Sequence, residues 1–447
     1  MEKKKKLPSL HFFSHYNEIL QKGDMKVTLS MIFMGLGQLL HGQLAKGILY
    51  LLLQIGAVLY FIFSGATAIA GFFTLGSVRG NQWMGIKGDN SITMLIMGIF
   101  AIIILIVYVM LYLSNVKDAY ATQLLVAEGK KPISFKSELK ELLDSNFYKS
   151  ALFAPIIGVC VFNVLPIVFM VLIAFTNYGG AIVPPELVDW IGFGNFWRIF
   201  TLGQFAPTFT KILGWNALWA VLATAINYFG GLALALLYNK KIVKVKAFWR
   251  AFPVLAYAIP GFISLLAFKF MFSYGGPINY MITEAGSKAV GFLDLEARWT
   301  ARLIGLLVNA WISIPTSMLL ATGILSNMNK DMFEAADIDG ASPIKQFAAI
   351  TLPFVLFSTT PVLITQFIGN FNNFGIFYFL RGGIYNDGYF LASDTDLLIN
   401  WLYNLSIDNN YYSIGAAISL IIFAITSTIS LAVYVMSPAY KQEDTFR

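Results

Sequence analysis

Residues 91–114 read SITMLIMGIFAIIILIVYVMLYLS, an apolar run without a single charged side chain. As a helix, a run of this length is long enough to cross the roughly 30 Å of hydrocarbon in a bilayer. Seven further apolar runs of similar length lie at residues 47–73, 151–176, 214–238, 247–272, 302–325, 353–375 and 414–437. A helix satisfies its backbone polar groups in lipid, whereas an isolated strand cannot. The sequence therefore predicts an all-α polytopic membrane protein with about eight transmembrane helices.

The composition of the whole chain agrees with this prediction. Of its 447 residues, 57% are hydrophobic and 12% are charged, and the mean hydropathy is +0.68. Soluble domains carry about 25% charged residues, so an ordinary soluble enzyme is excluded. The single cysteine, Cys160, excludes an intrachain disulfide and a cysteine-based metal site.

The distribution of Lys and Arg predicts the orientation of the spans, because short cytoplasmic segments carry an excess of both residues. With eight spans and the N-terminus inside, 22 of the 31 Lys and Arg residues fall in the predicted cytoplasmic segments. Those segments are 1–46, 115–150, 239–250, 326–352 and 438–447. Both termini are therefore expected in the cytoplasm, and the net charge of +7 needs no nucleic acid to explain it.

The chain is predicted to have three parts. Residues 1–46 form a cytoplasmic N-terminus whose apolar stretch 27–40 is short and interrupted by two glycines, which favours a re-entrant or interfacial segment. Residues 47–150 hold two accessory spans and a polar cytoplasmic linker, and residues 151–447 hold a core of six spans. The first lysines are followed by mostly polar residues, so a retained N-terminus is expected rather than a cleaved signal peptide.

The predicted spans lack the groups on which several other classes of membrane protein depend. No Asp or Glu lies in any of the eight, whereas proton- or ion-coupled carriers usually bind their ion through such a residue. Lys269 lies near the outer end of its span, where its amine can reach the headgroups. All three histidines lie in the first 41 residues, so a histidine metal site within the membrane is excluded. The chain has no G-x-x-x-x-G-K-[ST] phosphate loop, so an ATPase that drives it would be a separate chain.

The acids of the last outer loop bear on a third class, a membrane-embedded enzyme. Such an enzyme would need a cluster of carboxylates at the membrane face for metal or acid–base work. The acids at Asp387, Asp394, Asp396 and Asp408 are scattered, and we expect them to solvate a lid. A self-sufficient secondary carrier and a membrane-embedded enzyme are therefore the less favoured classes for this chain.

The cytoplasmic segment Asp331 to Pro353 carries the clearest local signals of helix ends. Asp331 is expected to cap a helix, with Glu334 completing a capping box and Gly340 ending the helix in the left-handed conformation. Ser342 and Pro343 are expected to begin a second helix as N-cap and first residue. The sequence thus predicts a helix, a turn and a helix on the cytoplasmic membrane surface.

The same segment resembles a known motif. Glu334-Ala335-Ala336, then Gly340, then Ile350-Thr351-Leu352-Pro353 match the EAA loop of binding-protein-dependent ABC importer permeases, here within residues 326–352. The resemblance implies a type I ABC importer core and a coupling helix that docks on an ATPase subunit, with Glu334, Ala335, Ala336, Asp337 and Gly340 as coupling residues. It also implies a second, smaller permease subunit, two ATPase copies and an extracellular binding protein. This chain is expected to bind no cofactor, and ATP with Mg²⁺ would be used by the ATPase subunits.

Uncharged polar residues form stripes on three of the predicted spans. Gln366, Asn370 and Asn373 are spaced four and three apart, and so share one helix face. Asn309, Ser313 and Thr316 form a similar stripe, as do Tyr257 and Gly261. Such groups bury poorly in lipid, so they are expected to face the bundle interior, where amides and rings suit a neutral polyhydroxylated ligand. The alternative is that the same groups only join helices together.

The resemblance is closest to the larger permease subunit of maltose/maltodextrin importers and covers residues 150–447. It rests on residues 257–264, 370–374 and 395–400 besides the EAA loop. It implies sugar contacts at positions matching Tyr257, Gly261, Asn309, Ser313, Thr316, Gln366, Gly369, Asn370 and Asn373. Of these, Tyr257, Asn309, Asn370 and Asn373 keep the family residue and the others depart from it. The exact sugar therefore stays open between a maltodextrin and another oligosaccharide, such as a galacto-oligosaccharide or a cyclodextrin.

One departure from the enteric members of the family is large. Only about 37 residues separate the spans 151–176 and 214–238, where those members carry a folded outer domain. Residues 184–200, with Trp190 and Trp197, are expected to contact the binding protein instead. The short loop resembles Gram-positive relatives, whose binding proteins are lipid-anchored.

Overall fold

The computed structural model describes residues 16–80, 82–240, 242–437 and 440. These residues are mostly helical and contain no β-strand, and their isolated bridges include Thr176 to Trp190 and Gly179 to Ile182. The prediction of an all-α fold is confirmed.

Contacts divide the chain into two compact units, one ending at Trp190 and one beginning at Ile191. In the first unit the helices are α1 (Met25–Ile32), α2 (Leu36–Leu40), α3 (Leu44–Thr74), α4 (Ser91–Ala127), α5 (Phe135–Leu143) and α6 (Phe147–Ile173). The boundary lies beyond the one predicted at residue 150, because α6 contacts α4. The functional division at residue 150 stays a prediction.

The second unit holds the remaining helices. They are α7 (Gly194–Thr201), α8 (Ala206–Asn239), α9 (Lys246–Ala258), α10 (Gly261–Met271), α11 (Pro277–Glu284), α12 (Arg298–Ser326), α13 (Asp331–Ile338), α14 (Pro343–Gln346), α15 (Leu352–Phe371), α16 (Gly375–Arg381), α17 (Leu398–Tyr403) and α18 (Tyr412–Met436). A π-helical turn, Phe347–Thr351, joins α14 to α15 without a break.

Among the described residues, seven helices are long and apolar enough to cross a membrane, and a bent pair makes eight. The pair is α9 and α10, which meet at 91°. The single helix predicted over 247–272 is therefore wrong in detail. Pro260 has no N–H to continue α9, and Ile259 before it is extended, as residues before proline usually are.

The N-terminal apolar stretch 27–40 becomes α1 and α2, of 8 and 5 residues, which are too short to cross a bilayer. Both pack against α4 around a buried polar network. Asn115 donates to the carbonyl of Ser30 (3.0 Å) and accepts from the N–H of Gly35 (2.9 Å), while Gln38 donates to the carbonyl of Asn115 (3.1 Å). Because every member is paired, the network joins these short helices to a membrane span at little cost of buried polarity. Whether the stretch is re-entrant or interfacial stays a prediction.

The core of the second unit forms where α8 packs along α12. Trp219, Val308 and Phe377 are fully buried there, and the rings of Trp219 and Phe377 meet edge to face with centroids 5.0 Å apart. Gly231 of α8 has no room for a side chain, since a Cβ would collide with Ser317 of α12. The two helices can thus approach closely, and α15 and α16 complete the bundle around them.

The predicted ends of the coupling segment are partly right. Helix α13 is capped by Lys330 rather than Asp331, so the capping box of Asp331 with Glu334 is wrong. Its side-chain support comes from Asn329, which accepts from the N–H of Asp331 (2.9 Å). Gly340 has φ +69°, as predicted, and the N–H of Ala341 closes the helix end on the carbonyl of Ala336 (2.9 Å).

The second helix of that segment begins as predicted, because Ser342 accepts from the N–H of Lys345 and Pro343 is the first residue. It is not a separate helix, however. The π-helical turn carries it into the membrane span, so that Pro353, which lacks an N–H, does not end it.

Candidate substrate pathway and coupling surface

Three amides meet where α8, α12 and the end of α15 come together. Asn309 is only 2% exposed, and its Oδ1 accepts from Nδ2 of Asn373 (3.3 Å). Its own Nδ2 donates to Oδ1 of Asn227 on α8 at the longer distance of 3.5 Å. The structure thus brings two of the predicted site residues into one hydrogen-bonded chain. It adds Asn227, whose signal in the sequence is an amide in an otherwise apolar span.

Two more of the predicted residues join α15 to different neighbours. Asn370 donates from Nδ2 to Oγ1 of Thr224 on α8 (2.9 Å), whereas Gln366 donates from Nε2 to Oγ of Ser317 on α12 (2.8 Å). Oε1 of Gln366 is buried and finds no hydrogen-bond partner in the part of the chain that the structure describes. The stripe on α15 therefore faces the bundle, and one acceptor in it is left unsatisfied.

The remaining predicted residues lie on the surface of the unit rather than in its interior. Tyr257 is 61% exposed, Thr316 and Gly369 are exposed, and a Cβ at Gly261 or Gly369 would meet open space. Ser313 is half-buried. The nine residues therefore form two groups, amides inside the bundle and small, hydroxyl or aromatic positions that are exposed or partly exposed.

Two cavities of this unit are lined mostly by apolar side chains. One of about 710 Å³ lies between α8, α15 and α18, and one of about 560 Å³ lies between α8, α9 and α12. Their walls include Phe367 and Val433 in the first and Phe252 and Trp311 in the second, and none of the nine predicted residues lines either one. These spaces lack the convergent polar groups that a sugar requires.

The membrane helix is interrupted between α15 and α16, at Asn372 to Phe374. The end of a helix leaves carbonyls unpaired, and within an apolar bundle those carbonyls need partners. Three buried side chains donate to carbonyls at this interruption, of which that of Asn370 also accepts from the N–H of Asn373 (3.3 Å). Trp219 donates to the carbonyl of Asn370 (3.1 Å), Asn216 to that of Phe371 (3.1 Å) and Asn400 to that of Phe374 (2.8 Å). No pattern in the sequence predicts a role for Asn216 or Trp219, and Asn400 is predicted only as part of the motif at residues 395–400.

The loop that follows α16, which the charge bias predicts on the outer side of the membrane, is built around a buried ion pair. The side chain of Arg381 is fully buried, and its guanidinium donates to Oδ1 of Asp394 (2.7 Å) and to Oγ1 of Thr395 (3.0 Å). It also donates to the carbonyls of Leu293, Asp294 and Leu295 on a neighbouring loop. These bonds use all the donor groups of the guanidinium, which makes burial of the charge tolerable.

The expectation that the acids of this loop solvate a lid is wrong for two of the four. Asp387 and Asp408 are exposed, but Asp394 and Asp396 are buried. The carboxylate of Asp396 accepts from the N–H and the hydroxyl of Ser393, both at 2.9 Å, and from Asn404 (3.2 Å). Burial raises the pKa of Asp396 to about 6, although the bonds from Ser393 oppose the shift. The two buried acids stabilise the loop instead of solvating it.

The aromatic residues predicted to contact a binding protein differ in their surroundings. Trp190, in the first unit, donates to the carbonyl of Phe72 (3.3 Å) and packs against that ring. Trp197, in the second unit, is largely exposed on α7. Of the two, only Trp197 offers a free ring face.

Helix α13, which carries the predicted coupling residues, has no buried residue. Ile338 at its end is 86% exposed and Ile344 on α14 is 81% exposed, so two large apolar side chains project from the segment. The turn between the helices is braced by Gln346, which donates to Oδ1 of Asp337 (2.6 Å) and to the carbonyl of Ala341 (3.0 Å). Glu334 is exposed. A rigid, capped helix with a small apolar tip is suited to docking in a cleft of another protein.

The bundle of spans and the exposed helix α13 are features of a multi-pass membrane component of a transport system. The chain belongs to the family described as the binding-protein-dependent transport system inner membrane component, whose model matches residues 227–441. The resemblance noted in the sequence to ABC importer permeases is thereby confirmed.

Two curated relatives extend the match to nearly the whole chain. The maltodextrin transport system permease protein MalC of Streptococcus pneumoniae is 34% identical over 430 residues, which cover 94% of this chain and 97% of the relative. The galactooligosaccharides transport system permease protein GanP of Bacillus subtilis is 33% identical over 430 residues, covering 95% and 100%.

One solved structure supports the fold. A chain from a bacterial ABC transporter involved in the import of the acidic polysaccharide alginate matches with a TM-score of 0.54 and 21% identity. The match covers 67% of this chain and 98% of that one.

Proposed function

We propose that this chain is a transmembrane pore subunit of an ATP-driven importer for maltodextrin-type oligosaccharides. The observation that carries the proposal is the 34% identity with a maltodextrin permease over 94% of the chain. The amides of Asn309, Asn370 and Asn373 support it, because they supply neutral donors and acceptors of the kind that bind sugar hydroxyls. In this proposal Tyr257, Gly261, Ser313, Thr316, Gln366 and Gly369 complete the contacts.

The exposed positions among the proposed sugar contacts support a second permease subunit as a partner. Tyr257, Thr316 and Gly369 would face a pathway closed on the other side by that subunit. An extracellular binding protein, lipid-anchored in a Gram-positive cell, would deliver the sugar to the outer loops. Both termini of the chain would then lie in the cytoplasm, in agreement with the charge bias of the sequence.

The energy would come from two ATPase subunits that dock on α13. The exposed tip at Ile338 and Ile344 and the brace at Gln346 support this docking, because a stiff segment transmits a displacement that a flexible loop would absorb. ATP and Mg²⁺ would be bound by those subunits, and this chain would have no catalytic site of its own.

A galacto-oligosaccharide is the second candidate substrate. The specific observation in its favour is the 33% identity with a galactooligosaccharide permease over the same length. The two sugars differ in linkage and in the axial or equatorial position of one hydroxyl, whereas amides can bond either.

Co-purification followed by a sugar screen tests the proposal. Tagged at its N-terminus and extracted from its own host, the chain should bring down a second permease, an ATPase and a sugar-binding protein. That binding protein should bind maltotriose and be insensitive to galactobiose by calorimetry. The reverse preference would select the second candidate, and purification of the chain without any ATPase would contradict the importer assignment.

A further inference from the structure

The outer loop 393–400 and the helix interruption at 371–374 are joined by two buried amides with the same bonding pattern. Asn216 on α8 donates from Nδ2 to the carbonyl of Phe371 (3.1 Å), and its Oδ1 accepts from the N–H of Leu398 (2.8 Å). Asn400 on α17 donates from Nδ2 to the carbonyl of Phe374 (2.8 Å), and its Oδ1 accepts from the N–H of Leu397 (3.1 Å).

Each amide therefore bridges the start of α17 to one side of the interruption. Both side chains are almost completely buried. Each bridges with both ends of one amide, so loss of either bond removes a hydrogen-bond partner from a buried backbone group. We call Asn216 and Asn400 the amide clamp.

The clamp surrounds two residues of the proposed sugar site. Asn370 and Asn373 lie next to the clamped carbonyls of Phe371 and Phe374, and Trp219 holds the carbonyl of Asn370 itself (3.1 Å). Asn370 lies in the last turn of α15, whereas Asn373 lies between α15 and α16, where its N–H bonds the carbonyl of Asn370 (3.3 Å). The clamp adds buried side-chain bonds to the backbone from which both side chains project.

The other side of the clamp is the rigid outer loop. Trp215 donates from Nε1 to the carbonyl of Thr395 (3.0 Å), and Thr395 accepts from the buried guanidinium of Arg381. A displacement of this loop would therefore move Leu397 and Leu398, and through the clamp it would move the interruption.

We propose that Asn216 and Asn400 are positioning residues that hold Asn370 and Asn373 in register with the outer loop 393–400. The inference rests on the proposed function for its sugar readout. The two amides thus have a role beyond joining helices together. In consequence, the position of the outer loop determines how the side chains of Asn370 and Asn373 are oriented toward a sugar.

The test uses isosteric variants in the assembled importer. Asn216→Asp and Asn400→Asp keep an oxygen that accepts from Leu398 or Leu397 but remove the donor to Phe371 or Phe374. The matched control is Asn279→Asp, because Asn279 is an equally buried amide that bonds the backbone of Ser273 and Val290 away from the interruption. We expect each clamp variant to lower ATP-dependent maltotriose uptake by about tenfold or more, with the control within about twofold of the parent.

A double variant tests whether the clamp acts through the site. In an Asn373→Leu background, Asn400→Asp should add less than about a twofold loss, since its effect passes through a residue already removed. Losses that multiply as if independent, or a clamp variant with full uptake, would overturn the proposal.

Hydrogen exchange separates failure of the clamp from failure of the sugar assignment. In either clamp variant the amides of Asn372 and Asn373 should exchange at least about tenfold faster than in the parent, while amides in α12 stay unchanged. This readout involves no sugar. Unchanged exchange would overturn the clamp whatever the substrate, whereas faster exchange with wild-type uptake in Asn370→Leu and Asn373→Leu would retain the clamp's hold on the backbone and reject the proposed sugar site.

Discussion

Asn373 forms hydrogen bonds within the helix bundle and also belongs to the proposed sugar site. Its Nδ2 donates to Asn309, and its Oδ1 accepts from the N–H of Ile376 (3.3 Å). An amide has two N–H groups and two lone pairs on its oxygen, so each end keeps capacity for a further partner. The bonds inside the bundle satisfy the amide in an apolar setting and still leave groups that a sugar hydroxyl can bond.

Replacing Asn370 or Asn373 with Leu should therefore reduce transport as well as packing. Removal of the amide leaves sugar hydroxyls unpaired, at a cost of about 1 to 3 kcal/mol each. Uptake of labelled maltotriose in proteoliposomes should fall by about 5-fold to 150-fold, since 1.4 kcal/mol is about tenfold.

Phe374 provides the control for that series. Its ring stacks on Tyr378 with centroids 4.5 Å apart and bonds no polar group, so Phe374→Leu should lower thermal stability with little change in sugar preference. Wild-type uptake in both amide variants would assign Asn370 and Asn373 to helix packing alone.

Asp396 gives the outer loop a stability that depends on pH. Its pKa in the fold is about 6, above the ordinary value, so the folded loop holds the proton more tightly than the unfolded chain does. The contribution is complete below the ordinary pKa and is lost as pH rises toward and through about 6. The unfolding temperature of the purified complex should therefore fall more between pH 5 and pH 7 in the parent than in Asp396→Asn. An equal pH dependence in both would contradict the assignment.

At the scale of elements, the turn after α13 is the part most directly linked to ATP hydrolysis. Gly340 has φ +69° with open space around it, so a side chain there is disfavoured by its backbone conformation alone. Gly340→Val should cost about 1 to 2 kcal/mol and tilt α13, so that sugar-stimulated ATP hydrolysis is lost while the complex still assembles.

Gly383 offers a matched control because it has φ +82° and open space on an outer loop. The same strain introduced by Gly383→Val should leave ATP hydrolysis within about twofold of the parent, since a loop not linked to α13 can relax locally. Equal losses in both variants would show that general strain, rather than the direction of α13, is responsible.

The exposed tip of the coupling segment makes a separate prediction. Ile338 contributes little to the stability of this chain, because its side chain is 86% exposed. If it fills a pocket of the ATPase, Ile338→Ser removes about 1.5 to 3 kcal/mol of burial and weakens binding of the ATPase by at least about tenfold. Pull-down at graded ATPase concentrations measures the loss, and Ile407→Ser on the outer side is the control. Equal retention of the ATPase by both variants would contradict docking at this tip.

Sequence alone predicts those elements whose cause is local. The span 91–114 is predicted by its length and its lack of charged residues. The role of Gly340 is predicted because a helix end of this type requires a residue with positive φ. The break within 247–272 also has a local signal in Pro260, because proline disfavours a helical conformation in the residue before it. The apolar residues on both sides of Pro260 nevertheless predict one continuous span. The amide clamp had no local signal, because Asn216 and Phe371 are distant in sequence and meet only through tertiary packing. Likewise, the scatter of the acids over this loop predicts that they solvate a lid, because nothing near Asp394 in sequence shows that Arg381 is buried against it.

At the scale of the whole molecule, the two units differ in the structural features that they carry. The first unit ties its short N-terminal helices to α4 through a fully paired polar network. The second unit carries the interrupted helix, the rigid outer loop and the exposed coupling helix. One compact unit thus carries the outer loop, the interruption and α13. A pore subunit that couples a movement of the outer loop to an ATPase docked on α13 requires this arrangement.

Uptake by the reconstituted complex tests the central claim most directly. The chain, its partner permease and the ATPase are placed in proteoliposomes with ATP inside and with the binding protein and labelled maltotriose outside. We expect sugar to accumulate only when all the components and ATP are present, and we expect no ATP hydrolysis above background by this chain alone. Accumulation without ATP or the ATPase, or robust hydrolysis by the isolated chain, would contradict the account.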